Sequence, residues 1–129
     1  MTHVNSFREL EVYKLSRQLC SEIFTLTKLF PKEETYSLTD QVRRSSRSVG
    51  AQVAEAWGKR RYEKHFISKL TDADGEQQET QHWAEIAFDC EYITKKQCDY
   101  FIAKYSEVGK MLQSMINKSH LFCSKQEAE

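Results

Sequence analysis

Apolar residues return with the period of an α-helix in four separate stretches of this chain. In the first stretch, over about residues 7–30, they recur every three or four positions, at Val12, Leu15, Leu19, Ile23, Leu26 and Phe30. This spacing places their side chains on one face of a helix. Because Pro31 cannot continue a helix, the first helix is predicted to end just before it.

The second predicted helix, over about residues 37–58, has two faces of different character. Ser37 is expected to cap its first turn with its hydroxyl group. One face carries an apolar stripe of Leu38, Val42, Val49, Val53 and Ala56. The other face carries small residues at Gly50, Ala51, Ala54 and Gly58. Since small residues at helical spacing let a second backbone approach closely, we predict that these four form a contact between subunits.

Two further helices are predicted over about residues 63–90 and 94–120. The stripe of the third helix includes polar side chains and consists of Phe66, Leu70, Ala73, Gln77, Thr80, Ala84 and Ala87. The stripe of the fourth helix consists of Phe101, Tyr105, Val108, Leu112, Met115 and Ser119. At the start of the fourth helix, Thr94 and Gln97 have the spacing of a capping box, which predicts where that helix begins.

The third helix contains two features that call for a packing explanation. Asp74, Gln77 and Gln81 lie on or near its inward stripe, and a buried polar group without a partner costs about 1–3 kcal/mol. We therefore expect these three side chains to be hydrogen-bonded. Gly75 in the middle of the helix costs about 1 kcal/mol relative to alanine, so we also expect a packing contact that requires glycine there.

The four predicted helices are joined by short connections, which make successive helices antiparallel neighbours. No stretch shows the sustained alternation of apolar and polar residues that is typical of a β-strand. The chain is therefore predicted to be all-α, an antiparallel up-and-down four-helix bundle. It is expected to form a single domain over residues 1–129, with a polar tail at residues 124–129.

Signals for membrane insertion and secretion are not found in the sequence. No run of residues approaches the roughly 18 consecutive apolar positions of a membrane span. The N-terminal segment becomes charged within ten residues and lacks the apolar core of a signal peptide. We therefore expect a cytoplasmic protein without a membrane partner.

Residues with catalytic or metal-binding chemistry occur in the sequence without the patterns that such sites need. Glu79 and His82 match the Glu-x-x-His motif of di-iron bundles once, whereas such a bundle normally needs the motif twice. No Cys-x-x-Cys pair joins the four cysteines, which are Cys20, Cys90, Cys98 and Cys123. We predict no catalytic residue, no metal and no cofactor. A zinc site assembled from distant ligands is a remote alternative.

The net charge is zero, but the charges are segregated along the chain. Residues 42–70 contain eight Lys or Arg against two acids, and residues 71–91 contain seven acids without any Lys or Arg. Clustered basic residues form the electrostatic footprint of nucleic-acid binding. The candidate phosphate-binding residues are Arg43, Arg44, Arg47, Lys59, Arg60, Arg61 and Lys64.

A structural explanation competes with this functional one for part of the basic block. Arg43, Arg44 and Arg47 are also expected to pair with the acidic third helix, within a subunit or across an interface. The residues from Lys59 to Lys64 lie in a helix connection and are less easily neutralised in that way. They are therefore the stronger candidates for phosphate contact.

A run of twelve residues is the sharpest of several matches to one protein family. It reads Leu-Thr-Asp-Gln-Val-Arg-Arg-Ser-Ser-Arg-Ser-Val over residues 38–49. Further matches are Phe7-Arg8-Glu9-Leu10, Phe30-Pro31, Val53-Ala54-Glu55-Ala56, Arg60-Arg61-Tyr62, Glu79-Thr80-Gln81 and Tyr92-Ile93. On these residues the chain resembles the four-helix-bundle family of bacterial 23S ribosomal RNA intervening-sequence proteins. The sequence has Gln-Val-Ala-Glu-Ala at residues 52–56, where the family usually has Asn-Ile-Ala-Glu-Gly.

The resemblance implies a homopentameric barrel of four-helix bundles. It also implies a similarity to the accessory variability determinant of diversity-generating retroelements, a basic pentamer that binds nucleic acid and assists a reverse transcriptase. The family name records where some of these genes lie and is not itself an activity. An RNA or DNA partner and a homo-oligomer are therefore expected from the resemblance.

Together these features predict a non-enzymatic, oligomeric nucleic-acid-binding or adaptor module that contacts RNA or DNA phosphates without reading bases. The main alternative is a protein-binding scaffold whose charge blocks only drive self-assembly, with an unidentified protein partner. Salt-dependent binding to nucleic acid distinguishes the two, because phosphate contacts release condensed counterions.

Overall fold

The computed structural model describes residues 4–123 and contains helices but no strand within that range. The four α-helices are α1 (Glu11–Thr27), α2 (Leu38–Gly58), α3 (Glu63–Asp89) and α4 (Lys95–Asn117). Short 3₁₀ turns lie at Phe7–Glu9, Lys32–Glu34 and Ser119–Leu121. The prediction of an all-α four-helix bundle is confirmed. None of the described helices is both long and apolar enough to cross a membrane.

The first helix begins later than its apolar pattern predicts. Phe7–Glu9 form a separate 3₁₀ turn, in which the Ser6 hydroxyl accepts a hydrogen bond from the Arg8 N–H group. Leu10 then takes an extended conformation, with ψ at 132°, which interrupts the helical path before Glu11. Phe7 nevertheless packs against the core, because its turn folds back beside α1 and α2.

The caps of the second and fourth helices differ in how well the sequence predicts them. The Ser37 side chain makes no capping hydrogen bond, so that part of the prediction is wrong. Instead, the Glu34 carboxylate accepts from the Leu38 N–H group at 3.1 Å. The capping box of α4 is confirmed: the Gln97 N–H group donates to the Thr94 hydroxyl at 3.1 Å, and the Thr94 N–H group donates to the Gln97 side chain at 2.8 Å.

The core is built from the predicted stripes of all four helices. α2 packs against α1 and α3, and α4 closes the bundle against α3 and α1. The side chains that are completely enclosed include Leu19, Val49, Phe66, Leu70, Tyr105, Val108 and Leu112. All seven predicted stripe residues of α3 are buried, including the polar Gln77 and Thr80. The core therefore has a polar section in the middle of α3.

Hydrogen bonds satisfy this polar section, as expected from the sequence. The Gln77 side chain, which is 4% exposed, donates to the Asp74 carboxylate at 2.9 Å. Its carbonyl oxygen accepts from the Gln81 side chain at 2.7 Å. Thr80 pairs with the Ser45 hydroxyl of α2 at 2.8 Å. These bonds connect neighbouring turns of α3 and link α3 to α2.

Gly75 does not have the packing contact that its position predicts. A Cβ atom added there would meet nothing within 4 Å among the described residues, because Gly75 lies on the exposed side of α3. The crowded glycine is Gly109 of α4, where a Cβ atom would lie 2.7 Å from Nε2 of Gln77. The polar section of α3 therefore needs a glycine on the neighbouring helix and not on α3 itself.

Gly75→Ala is accordingly expected to raise the free energy of unfolding by about 0.5–1 kcal/mol, since alanine has the higher helix propensity and meets no obstacle. Gly109→Ala is the matched control, because it brings the same propensity gain but crowds Gln77. Urea denaturation followed by circular dichroism measures both variants. A Gly75→Ala variant that is less stable than wild type would show that the exposed side of α3 is covered in solution.

Candidate nucleic-acid interface

The connection between α2 and α3 lies at one end of the bundle, together with the end of α4. Glu63, the first residue of α3, is hydrogen-bonded to the Ser119 hydroxyl just beyond α4. Phe122 stacks on Phe66 with ring centroids 5.8 Å apart. These two contacts fix the short connection against the rest of the bundle. The basic residues from Lys59 to Lys64 thus lie at an end of the bundle where the connection is held by packing and hydrogen bonding.

Three basic side chains of this connection point into solvent, at Lys59, Arg61 and Lys64. Within residues 4–123, none of the three side chains forms a hydrogen bond or an ion pair. Tyr62 lies among them with 55% of its surface exposed, and its ring centroid is 5.4 Å from that of His65. We call Lys59, Arg61, Tyr62 and Lys64 the end cluster. It offers unneutralised charge beside an accessible aromatic ring.

Arg60 differs from its neighbours because its side chain is part of the fold. Its guanidinium lies 3.5 Å from the centroid of the Trp57 ring, and its Nε donates to the Trp57 carbonyl at 2.8 Å. Burial lowers the pKa of Arg60 from its ordinary value, because a charged group is less stable away from water. The side chain of Arg60, a phosphate-binding candidate in the sequence, therefore packs on Trp57.

The three remaining candidates lie in the first half of α2, Arg43 and Arg47 towards α1 and Arg44 towards α3. Arg43 donates from Nε to the Thr27 hydroxyl at 2.7 Å. Arg44 donates to the Gln41 side chain at 2.8 Å and lies 3.6 Å from the Glu79 carboxylate. Arg47 is exposed. Pairing with the acidic third helix is therefore seen for Arg44, in an exposed geometry that is worth about 0–1 kcal/mol.

These three arginines border a concave pocket of about 430 Å³ that the sequence analysis did not identify. We call it the arginine pocket. Its lining consists of Thr35, Thr39, Asp40, Arg43, Arg44, Arg47, Ser48 and Ala51. A sequence signal for it exists, because positions 39, 43, 47 and 51 follow one another at intervals of four and share a helix face. A second depression of about 370 Å³ adjoins it and shares Arg47 and Ala51.

The four residues predicted to form a subunit contact are not equivalent in the structure. Ala51 and Gly58 are exposed, and Ala54 is half-buried. Gly50 faces α1 of the same chain, where an added Cβ atom would lie 3.5 Å from the Ser16 hydroxyl and 3.6 Å from the Tyr13 ring. The small size of Gly50 thus serves the packing of α2 on α1. Ala51 and Gly58 are the members of the set that remain accessible to another molecule.

The motif of Glu79 and His82 does not gather into a group with metal-binding geometry. Among the described residues, no cluster of three or more His, Cys, Asp or Glu side chains has the positions to hold a metal ion. The Glu79 carboxylate accepts a hydrogen bond from the Trp83 ring nitrogen at 3.0 Å. Cys20, Cys90 and Cys98 do not form disulfide bonds. Glu79 therefore acts as a partner for Trp83 and Arg44.

The opposite end of the bundle carries the other sign of charge. The α3–α4 connection and its flanks, over residues 85–99, contain four acids and two lysines. One of these lysines, Lys95, is paired with Asp99 at 2.9 Å. Residues 58–65, by contrast, contain four Lys or Arg and one acid, Glu63, which is bound to Ser119. Residues 58–65 therefore have a net charge of +3 and residues 85–99 a net charge of −2, so the end cluster lies in a locally positive connection.

Comparison with known proteins identifies a family and related solved structures. The family model described as 23S rRNA-intervening sequence protein matches residues 8–114. A crystal structure of a protein with unknown function from the S23 ribosomal protein family of Bacteroides thetaiotaomicron is 32% identical to this chain. The similarity covers 82% of this chain and 95% of that one, with a TM-score of 0.75. No curated protein matches the sequence.

Proposed function

Since the chain belongs to the 23S rRNA-intervening sequence protein family, we propose that it is a non-enzymatic, oligomeric module that binds the phosphates of RNA or DNA. The family description associates these proteins with ribosomal RNA, which is an RNA-related context and not a measured activity. The observation that carries the proposal is the end cluster, whose three basic side chains are exposed and without partners among the described residues.

Neighbouring like charges repel one another, so a group of unpaired cations is stabilised by an anion of matching extent. A nucleic-acid strand supplies such an anion, because its phosphates repeat along the backbone and release counterions when they are neutralised. The exposed ring of Tyr62 adds a surface on which an unpaired base can stack, a contact worth about 1–3 kcal/mol in single-strand-binding proteins. The end cluster therefore favours a single strand over a duplex.

The proposed contacts carry no base-specific information. Lysine and arginine side chains that bind phosphates fix the position of a strand, whereas sequence is read through base edges. Stacking on a tyrosine is also tolerant of sequence, since every base has a flat face. Binding to the end cluster is therefore expected to vary little between RNAs of different sequence.

The test compares two triple variants that remove the same charge from different surfaces. Lys59→Ala/Arg61→Ala/Lys64→Ala removes the basic side chains of the end cluster. Lys32→Ala/Lys96→Ala/Lys110→Ala removes three exposed lysines elsewhere and is the matched control. Affinity for a labelled single-stranded RNA of mixed sequence is measured at 50 mM salt. The first variant should bind on the order of 10- to 100-fold more weakly, and the control should change by about 3-fold or less.

Equal losses in the two variants would contradict the proposal, because they would show only a general effect of net charge. Absence of binding by the wild type at micromolar concentration would also contradict it and would favour the protein-binding scaffold. A second RNA of unrelated sequence should show the same loss within about 3-fold. Circular dichroism of all variants checks that the helices are retained.

The oligomeric part of the proposal rests on Ala51 and Gly58, which leave an exposed and uncrowded strip on α2. A ring of subunits would repeat the end cluster, so that one strand contacts several clusters at once. Light scattering on the wild-type protein tests this part separately. A single species of 15.2 kDa would contradict it and would leave the end cluster to act alone.

A further inference from the structure

We propose that the arginine pocket binds a phosphate monoester, the group that is carried at the end of a nucleic-acid strand or by a free nucleotide. The inference deepens the proposed function and rests on it for the identity of the strand. The end cluster contacts phosphates along a chain, whereas the arginine pocket is a single concave site of about 430 Å³, formed by α2 and the turn before it.

Three cations lie near a single aromatic ring, and two of them, Arg43 and Arg47, also line this pocket. The ammonium group of Lys28 and the guanidinium of Arg43 each lie 4.7 Å from the centroid of Phe24, and the guanidinium of Arg47 lies 5.9 Å from it. Within the described residues, no carboxylate forms an ion pair with any of the three. Such convergence is unfavourable for an empty pocket and favourable once an anion enters it.

The guanidinium groups are held in different ways, which prepares the pocket for a ligand. Arg43 is fixed by the Thr27 hydroxyl, whose own proton is donated to the Ile23 carbonyl at 2.8 Å. Arg44 is fixed by Gln41 and Glu79. Arg47 has no hydrogen-bond partner among residues 4–123 and is therefore available to a ligand. Two guanidinium groups held in place and a third without a partner among the described residues can together donate to the several oxygens of a phosphate group.

The composition of the pocket favours a monoester over the diesters inside a strand. A monoester carries a charge of about −1.5 to −2 at pH 7, whereas each diester carries one charge. One acid, Asp40, also lines the pocket, but the three arginines outnumber it, so the net charge of the lining is positive and attracts the dianion more strongly than a monoanion. The Thr39 hydroxyl adds an uncharged donor on the same helix face.

The adjoining depression gives the rest of a nucleotide a place to lie. It begins at Arg47 and Ala51, which border both cavities, and it extends between α1 and α2 towards Phe7 and Tyr13. The Phe7 and Tyr13 rings meet edge to face with centroids 4.9 Å apart. The volume of the arginine pocket, about 430 Å³, is within the range of small-ligand sites. A terminal nucleotide could thus place its phosphate in the arginine pocket and the rest of the molecule in the adjoining depression beside the two aromatic rings.

The experiment compares one RNA oligonucleotide in two forms, with a 5′-phosphate and with a 5′-hydroxyl group. The wild-type protein should bind the phosphorylated form about 10-fold more tightly, because a bidentate contact between arginine and phosphate is charge-assisted and strong. Arg47→Ala should lose this preference and still bind the strand. Arg61→Ala, in the end cluster, should weaken both forms alike and keep the preference. Arg47→Lys, which keeps the charge, should retain part of it.

Adenosine 5′-monophosphate, titrated by calorimetry, distinguishes the two sources of the phosphate group. Its binding by the wild type and loss in Arg47→Ala would support the pocket even if no RNA bound, and would then contradict the proposed function alone. RNA binding without a preference for either form, together with no binding of the nucleotide, would overturn the pocket and leave the proposed function intact. Circular dichroism of Arg47→Ala shows whether the bundle is retained.

Discussion

Phe66→Ala is expected to lower the free energy of unfolding by about 3–5 kcal/mol, the usual range for removing a fully buried phenylalanine. Phe66 is completely enclosed in the core near the start of α3, and its ring stacks on Phe122 beyond the end of α4. The substitution leaves a cavity and also removes the contact that holds the chain end against α3. Equilibrium unfolding in guanidinium chloride, followed by circular dichroism, measures the loss.

The control for this prediction is Tyr62→Ala, one turn earlier in the chain. Tyr62 is aromatic as well, but more than half of its surface is exposed, so the change should cost less than about 1 kcal/mol. Similar losses in the two variants would contradict the assignment of Phe66 to the core. Because Tyr62 belongs to the end cluster, this control should instead weaken RNA binding.

Arg60→Ala is expected to lower the free energy of unfolding by about 2 kcal/mol, although Arg60 lies in a charged helix connection. A desolvated cation–π contact contributes up to about 2 kcal/mol, and a hydrogen bond contributes about 1 kcal/mol. Arg60 makes both to Trp57, at 3.5 Å from the ring centroid and 2.8 Å from the carbonyl oxygen. From the sequence alone, the substitution is expected to have little effect on folding, because residues of a charged connection bury little apolar area.

Arg61→Ala provides the comparison, since the two residues are adjacent and carry the same charge. Arg61 is exposed, so its replacement should change stability by about 0.5 kcal/mol or less. Urea denaturation of both variants under one set of conditions is sufficient. If Arg61→Ala proves the more destabilising of the two, the roles assigned to these neighbours are reversed.

The fold follows from the sequence because its signals are local and periodic. Apolar residues at every third or fourth position mark a buried stripe. The capping box of Thr94 and Gln97 fixes the start of α4 by two hydrogen bonds within a single turn. The polar section around Gln77 is also predictable, since a buried amide must find partners. These features depend on neighbours in the sequence and not on how the helices are placed.

The features that the sequence does not predict depend on contacts between helices or on side-chain conformation. Glu34 replaces Ser37 as the capping side chain because a 3₁₀ turn brings its carboxylate back to the start of α2. Gly109, and not Gly75, is the crowded glycine because α4 lies against Gln77. The arginine pocket depends on the conformations of its side chains, since Arg43 contacts Thr27 of α1 and Arg44 lies near Glu79 of α3. None of these three contacts follows a periodic pattern that can be read from the sequence.

The candidate site was predictable as a region but not as two separate surfaces. All seven basic residues lie between residues 43 and 64, and the sequence marks that block clearly. The structure divides it into the end cluster, the arginine pocket and the packed Arg60, because the three arginines of the pocket lie in the first half of α2 and the other basic residues lie beyond its end. Arg47 and Lys59, the nearest basic members of the two surfaces, are 12 positions apart, which corresponds to about 18 Å along the helix at 1.5 Å per residue. The two surfaces therefore need separate variants and separate ligands.

The salt dependence of RNA binding by the wild-type protein tests the central claim most directly. Each phosphate neutralised on a single strand contributes a slope of about −0.7 to the plot of log K against log salt. Three unpaired cations per end cluster therefore predict a slope of about −2 for one cluster, and a steeper one if a strand contacts several subunits. Binding that does not change between 50 mM and 200 mM salt, or no binding at 50 mM, would contradict the account.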